Sequence, residues 1–377
     1  MNEPSERLPF DWKVRVDRWR PTVRPKPPYG PIAVEVVRSC PLRRVFELTP
    51  GYERRSSFMG RIGLAYHRTI ESFLKDPLHG NTLAEMMNSA SDRFEALVAD
   101  QCRRAEARPR ERGLPKHEDR IRLAREAVLA EAVRISASRP GEDVEKDHRG
   151  DYRVELEVNV QSADAMFRGR VDRAEHRSDG VHLVDYKSAV RADLTERYEH
   201  QLQLYALMWA DRRKDWPVAA TLHYPLVGKS LDVPVERQSC EHVAREARDL
   251  IEKVSSISHV DALATPGDVC QVCEFRPWCQ PFWNWQNRER SNSTAYRLAP
   301  QGVEAKILGN ESTPSRTALS VTWRGITARV VGPSQRFPHL QQVMPGDIVR
   351  CLDFNVHGVV TQPKLAANEC AEVFVVE

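Results

Sequence analysis

The stretch M-F-R-G-R-V-D-R-A-E-H-R-S-D-G-V-H-L-V-D-Y-K-S, Met166 to Ser188, decides the fold. M-F-R-G-R-V-D-R-A-E and V-H-L-V-D-Y-K-S each read as a strand, and Ser178-Asp179-Gly180 between them supplies hairpin turn chemistry. Asp185 and Lys187 are two apart, so on a strand both side chains leave the same face. Asp172 ends the preceding strand, and the hairpin brings it close to Asp185. Two carboxylates held together repel unless a divalent cation lies between them, and Mg²⁺ and Mn²⁺ prefer such oxygens. A cation there polarises a scissile phosphate and lowers the pKa of a bound water. Lys187 would orient that water or offset charge developing on the phosphate. D-x-K alone describes many exposed strands, so the neighbouring sequence must carry the rest.

Apolar residues flank both carboxylates in G-R-V-D-R-A and L-V-D-Y-K-S, which sets them at the edge of a buried sheet. Upstream, Y-R-V-E-L-E-V-N-V alternates like a further strand. Downstream, a helix is expected over about 194–212, a strand A-A-T-L-H-Y-P-L-V ending near Gly228, and a helix over about 241–255. Helix, three strands, helix, strand is the order of a mixed α/β sheet flanked by helices. Gln201 and Tyr205 stand at i and i+4 on the first of those helices, where they share a face and reach phosphate or the metal's surroundings.

Nearer the N-terminus, Ala33 to Leu48 reads as a short helix or turn-flanked element carrying Cys40-Pro41. After the Gly51 turn, Ile62, Tyr66, Ile70 and Phe73 fall at helical spacing, with His67 on the same helix. Imidazole is a good ligand for Mn²⁺ and a poor one for Mg²⁺. Glu71, one turn on, reads as a solvated helix residue rather than a ligand, and Glu157 is a weaker ligand candidate for which a structural or surface role on its strand is preferred. Residues from about Asn81 to Arg139 are helical and rich in arginine, interrupted near R-P-R-E-R-G-L-P-K-H. They form either a solvated wing or a grip on a phosphate backbone.

The chain has 377 residues, enough for two domains plus extensions. Lys and Arg number 56 against 53 Asp and Glu, so a nucleic-acid partner needs local positive fields rather than overall charge. A mean hydropathy of -0.54, no long apolar run and an N-terminus without an apolar core point to a cytoplasmic protein with no membrane span. R-P-T-V-R-P-K-P-P-Y-G, within an arm over 1–32, reads as extended, basic and flexible.

Eight cysteines do not suggest a secreted disulfide scaffold. Cys270, Cys273 and Cys279 form C-x₂-C-x₅-C, and Cys40 stands alone in S-C-P. Soft thiolates at such spacing select zinc or an iron–sulfur cluster, with Cys40 as fourth ligand only if folding joins the two ends. Cys102, Cys240, Cys351 and Cys370 read as packed or free thiols. Beyond Asn292, five short strands in about eighty residues suggest a small, OB-like β-barrel over 295–377. Trp323, Arg324, Phe337 and Phe354 either fill its core or present a stacking surface for single-stranded nucleic acid, and the core reading is preferred.

The ordered set G-x-x-x-H at Gly63 to His67, G-R-V-D at Gly169 to Asp172, D-Y-K-S at Asp185 to Ser188 and Q-L-x-x-Y-A at Gln201 to Ala206 resembles the RecB-like branch of the PD-(D/E)XK nucleases. That branch includes nuclease domains of helicase-nucleases and the iron–sulfur exonucleases of CRISPR adaptation. The resemblance spans roughly Ala33 to Gln286. It implies a restriction-endonuclease-like domain over 33–290, with a helical insertion at about 75–150. It also implies Mg²⁺ or Mn²⁺ held by His67, Asp172, Asp185 and the carbonyl of Tyr186, a catalytic Lys187, and substrate support from Gln201 and Tyr205. One cysteine before the core and three after it imply a [4Fe–4S] cluster on Cys40, Cys270, Cys273 and Cys279. The activity expected is hydrolysis of single-stranded DNA from its ends, in repair or phage defence. With no phosphate loop in the sequence, any unwinding needs a separate helicase or defence-system subunit. A silent DNA- or helicase-binding scaffold and an RNA-directed nuclease are the alternatives.

Overall fold

In this computed structural model, the described residues are 12–15, 21–76, 78, 82–113, 116–137, 153–288, 302–359 and 361–377. Residues 289–301, where the C-terminal region was expected to begin, lie outside them, as do residues 1–11 and 16–20 of the N-terminal arm.

The Met166–Ser188 hairpin forms the middle of a five-stranded sheet. Strands β2 (Arg153–Gln161), β3 (Arg168–Arg177), β4 (Gly180–Tyr186), β5 (Ala219–Tyr224) and β6 (Lys229–Val233) lie in that order. All neighbours are antiparallel except β4 and β5, which run parallel. Helix α6 (Glu196–Arg213) makes the crossover that a parallel pair requires. Strand β4 shows why two helical layers are needed. Val181 and Leu183 enter one apolar cluster with α6 and α7 (Arg237–Ser256), whereas Val184 and Tyr186 enter another. That second cluster is built on α3 (Phe58–Lys75), α4 (Leu83–Glu106) and α5 (Glu118–Ala137).

Ile62, Tyr66, Ile70 and Phe73 are all buried on α3, as their spacing predicts. The Ala33 to Leu48 stretch is two helices, α1 (Pro31–Ser39) and α2 (Pro41–Leu48), broken at Cys40. Proline at a first helical turn loses no needed donor, so Cys40-Pro41 starts α2 as it ends α1. Downstream, β5 stops at Tyr224 because Pro225 begins a 3₁₀ turn over 225–227. β6 was not anticipated: K-S-L-D-V is short and mostly polar, as an edge strand is.

The C-terminal region is all β. Strands β7 (Gly302–Asn310), β8 (Arg316–Trp323), β9 (Ile326–Pro333), β10 (Ile348–His357) and β11 (Lys364–Val376) follow the order β11-β10-β7-β8-β9. A parallel β9–β11 contact closes the ring, giving a small OB-like barrel. Trp323 and Phe337 are buried in it, and Phe354 packs partly against the same core, as preferred from the sequence. A two-residue strand β1 (Lys13–Val14) adds to β11 in parallel. Further along the arm, Tyr29 is buried and its backbone bonds to Met166 and Arg168. The helical wing reaches the barrel through Arg110, whose guanidinium is bidentate to Glu372, 2.8 Å on each branch. Arg110 also donates to the carbonyls of Glu53 and Glu274.

Candidate active site

Three elements meet at the end of the five-stranded sheet: the β3–β4 hairpin, α3 and α6. Arg173 pairs with Val184 and Ala174 with Leu183, a register that continues to Asp172 beside Asp185. The Tyr186 amide donates to Asp172 Oδ2 at 2.8 Å and fixes that carboxylate against the next strand. Strand β4 ends at Tyr186, yet the Lys187 amide still donates to His223 on β5 at 2.8 Å. Lys187 therefore keeps strand geometry without being counted in the strand.

Two glycines explain why the motifs contain them. A side chain at Gly63 would come within 2.4 Å of Ser188 Oγ, so this residue lets α3 lie against the end of β4 and bring His67 to the hairpin. A side chain at Gly169 would come within 2.5 Å of the Tyr205 ring, which rests on that point of β3. G-x-x-x-H and G-R-V-D are thus packing requirements as well as chemical ones.

The polar contacts form a connected set. Lys187 Nζ lies 2.6 Å from Asp185 Oδ2 and donates to Gln201 Oε1 at 2.8 Å. The Gln201 amide donates to Asp185 Oδ1 at 2.7 Å. The ring of Tyr198, one turn before Gln201, sits 4.5 Å from Lys187 Nζ. Tyr205 hydrogen-bonds Gln201, and burial pushes its hydroxyl pKa up. Opposite, His67 Nδ1 is 3.7 Å from Asp172 Oδ2. Burial lowers the His67 pKa, against the pull of Asp185 and a hydrogen bond with the Tyr186 backbone. Burial and then the neighbouring Asp185 carboxylate hold Asp172 well above the usual carboxylate range.

Sequence reasoning underrated Glu157. It lies across from Asp172, between the pairs Leu156–Arg173 and Val158–Val171. Its φ is +54°, a left-handed conformation that side chains rarely adopt within a strand. One ligand atom each from His67, Glu157 and Asp172 lie within 4.8 Å of one another, the only such set of three among the described residues. Arg170 approaches Glu157 Oε2 to 2.5 Å from the solvent side. Asp185 stands beside this trio, engaged by Gln201 and Lys187. Its Oδ2 is buried and faces the Lys187 ammonium at 2.6 Å, and its Oδ1 accepts from Gln201. A donor set of one imidazole and two carboxylates, with Asp185 beside it, suits Mn²⁺ better than Mg²⁺. Glu71 is half-buried on α3 and does not join it.

A family model described as the PD-(D/E)XK nuclease superfamily matches residues 30–280. The chain belongs to the PD-(D/E)XK nuclease superfamily. Nucleases of this superfamily hydrolyse phosphodiester bonds and use Mg²⁺ or Mn²⁺. No curated protein matches the chain. Among solved structures, "Crystal structure of SSO0001" is 15% identical with a TM-score of 0.23, covering 58% of this chain and 96% of its own. "Structure of murine DNA binding protein bound with ds DNA" is 11% identical with a TM-score of 0.20, covering 60% and 95%. At those scores neither bears on what this PD-(D/E)XK chain does.

The predicted cysteine set also converges. Cys40 lies between α1 and α2, Cys270 lies within the 3₁₀ turn Asp268–Val272, Cys273 follows that turn, and Cys279 precedes α8 (Gln280–Arg288). Burial pushes the Cys279 thiol well up, and Cys273, Cys40 and Cys270 push it the same way, so all four sulfurs interact electrostatically. Burial pushes Cys273 up to about 12. The other four cysteines are also free thiols, Cys240 and Cys351 buried and Cys370 exposed. No helix among the described residues is long and apolar enough to cross a membrane.

Proposed function

We propose that this chain is a RecB-like, metal-dependent exonuclease acting on single-stranded DNA, serving DNA repair or phage defence. The supporting observation is the meeting of His67, Glu157, Asp172, Asp185 and Lys187 at one end of the sheet. His67 and the three carboxylates would hold a divalent cation, which supplies Lewis acidity and a bound water of lowered pKa. Lys187 carries an ammonium 2.6 Å from Asp185 Oδ2. Gln201 accepts from its ammonium and fixes its direction, and the Tyr198 face limits where else it can point. That leaves Lys187 positioned to donate to a phosphoryl oxygen or to orient the attacking water. Burying Asp172 against Asp185 is costly, and a silent scaffold would gain nothing from it.

Cys40, Cys270, Cys273 and Cys279 would hold a [4Fe–4S] cluster that joins the two ends of the nuclease region. No three of these sulfurs form a set within 4.8 Å, whereas a tetrahedral zinc with Zn–S of ~2.3 Å keeps its sulfurs about 3.8 Å apart. In this reading residues 33–290 are the nuclease domain with a helical insertion at about 75–150, 295–377 the barrel domain, and 1–32 an N-terminal arm.

The test is degradation of end-labelled single-stranded DNA with Mn²⁺ by the purified chain. Lys187→Ala should abolish hydrolysis while the circular dichroism spectrum and DNA binding stay unchanged; activity surviving that substitution would remove Lys187 from the mechanism.

A further inference from the structure

A groove of about 720 Å³ lies between α3, α4 and the loops around Arg54 and Glu274. Seven arginines line it, against only two carboxylates, Glu111 and Glu274. Two of the seven are structural: Arg61 is buried on Glu111 at 2.7 Å, and Arg43 is held by Glu274 at 2.9 Å. Others are displayed to solvent. The Arg54 side chain is 58% exposed while pairing with Glu274 at 3.1 Å, that of Arg104 is 61% exposed while pairing with Asp100 at 2.7 Å, and Arg68 is exposed with no ion-pair partner among the described residues. Such exposed pairs are weak enough to exchange a carboxylate for a phosphate, and with Arg68 they give one wall a phosphate-binding field.

The groove has a direction. Gly60, Leu64 and Arg68 line it from successive turns of α3, a run of about 12 Å at 1.5 Å per residue. His67 stands at i+3 from Leu64 on the same helix, so the metal-ligand cluster lies beside this wall, outside the groove lining itself. At its other end the groove shares Arg55, Ser57, Val272 and Glu274 with a second cavity of about 620 Å³ that reaches the barrel. There the lining becomes more apolar, with Phe58, Met59, Val272 and Phe354, and Val272 is 75% exposed.

We infer that the two cavities form one trough that guides a single polynucleotide strand from the barrel to the active site, phosphates on Arg54, Arg68 and Arg104 and bases against the apolar wall. An unpaired strand offers both a charged backbone and apolar base faces, which is what this lining matches. A duplex offers only backbone to such a surface. The inference rests on the nuclease reading above for its destination, but the trough is tested without catalysis.

The probe is a fluorescein-labelled dT₂₀ strand, titrated with full-length protein in EDTA across a range of salt concentrations. Arg54→Ala, Arg68→Ala and Arg104→Ala combined should weaken binding about tenfold or more and reduce the slope of log K against log[salt] by about 2, at ~0.7 per lost phosphate contact. Removing Arg122, Arg125 and Arg329 instead takes the same charge from exposed sites outside the trough. That variant should behave like the wild type. Equal losses from both variants, an unchanged slope, or capture of a blunt duplex through the same three arginines would overturn the proposal. Hydrolysis of bis(4-nitrophenyl) phosphate with Mn²⁺ separates the two ideas, because this diester is too small to use the trough. The trough variant should cleave it at the wild-type rate. A wild type inert on both this diester and DNA, whose dT₂₀ binding still depends on the three arginines, would leave the trough standing and sink the nuclease reading.

Discussion

Each of the two sheets carries an acidic residue forced into a left-handed conformation within a strand. Glu157 in β2 has φ +54°, and Asp353 in β10 has φ +58°. Asp353 sits where the β10–β11 register slips, and Arg276 grips its carboxylate at 2.9 and 2.8 Å. There the distortion ends in a neutral, two-armed ion pair between barrel and cysteine loop. Glu157 is turned instead toward Asp172 and His67, and Arg170 reaches its Oε2 at 2.5 Å. The same backbone irregularity thus has different surroundings in the two sheets. At Asp353 the carboxylate meets one buried guanidinium and fastens two parts together; at Glu157 it lies beside a second acid and an imidazole, the company that a cation site keeps.

The sharpest way to break this contrast is at Asp172. Asp172→Asn should lower hydrolysis of single-stranded DNA by ~10³-fold, the scale of losing a group that acts on transition-state charge. The same variant should melt at a higher temperature than the wild type in EDTA. Because the folded-state pKa of Asp172 is raised, the folded chain binds the proton more tightly than the unfolded one, so ionising this acid costs stability as pH rises above the usual carboxylate range. Asparagine removes that cost. A lower melting temperature would show that Asp172 is not under repulsion. Next comes Glu157→Gln, expected to cost ~10²-fold in rate and to weaken the Mn²⁺ concentration dependence, with little change in melting. If Mn²⁺ titration curves for Glu157→Gln and wild type superimpose, the residue is no ligand and the comparison fails.

Asp353→Asn should do the reverse. It should leave the rate constant unaltered and destabilise the fold by about 1–3 kcal/mol, through the loss of a charged acceptor from a buried guanidinium. The smallest effect belongs to His339, which stacks on Trp12 at 4.7 Å and hydrogen-bonds Val373 O. Burial lowers its pKa to about 4, against the upward pull of that hydrogen bond. A depressed histidine pKa contributes stability that is present above the unfolded value of ~6.5 and lost as pH falls toward 4. Between pH 7.5 and 5, His339→Gln should lose less melting temperature than the wild type, by about 2–4 °C. Parallel pH profiles would leave His339 without a role in that loss.

Much of this was readable beforehand because it rests on periodicity. The hairpin, α3 and the five barrel strands follow from alternation, helical spacing and turn residues, and Asp172, Asp185 and Lys187 follow from the strand period. What escaped depends on contacts that no local pattern encodes. Glu157 looked like any outward strand residue, since neither a positive φ nor its position across from Asp172 can be read from V-E-L-E-V. β1 is two residues long, and its pairing with β11 spans more than 360 positions. β6 carries too few apolar residues to stand out from a loop. Tyr198 reads as one more aromatic on α6 until its ring is found over Lys187.

Arg110 has a mechanical consequence. Three separate stretches of chain supply its partners: Glu372 and the Phe374 ring at 5.6 Å from the last strand, the carbonyl oxygen of Glu274 and the Trp278 ring at 5.0 Å from the cysteine loop, and the carbonyl oxygen of Glu53. A guanidinium so enclosed cannot be released by one of them alone without stranding its charge away from water. The wing, the cysteine loop and the barrel are riveted at a single point, so loosening any one of them is felt by the other two.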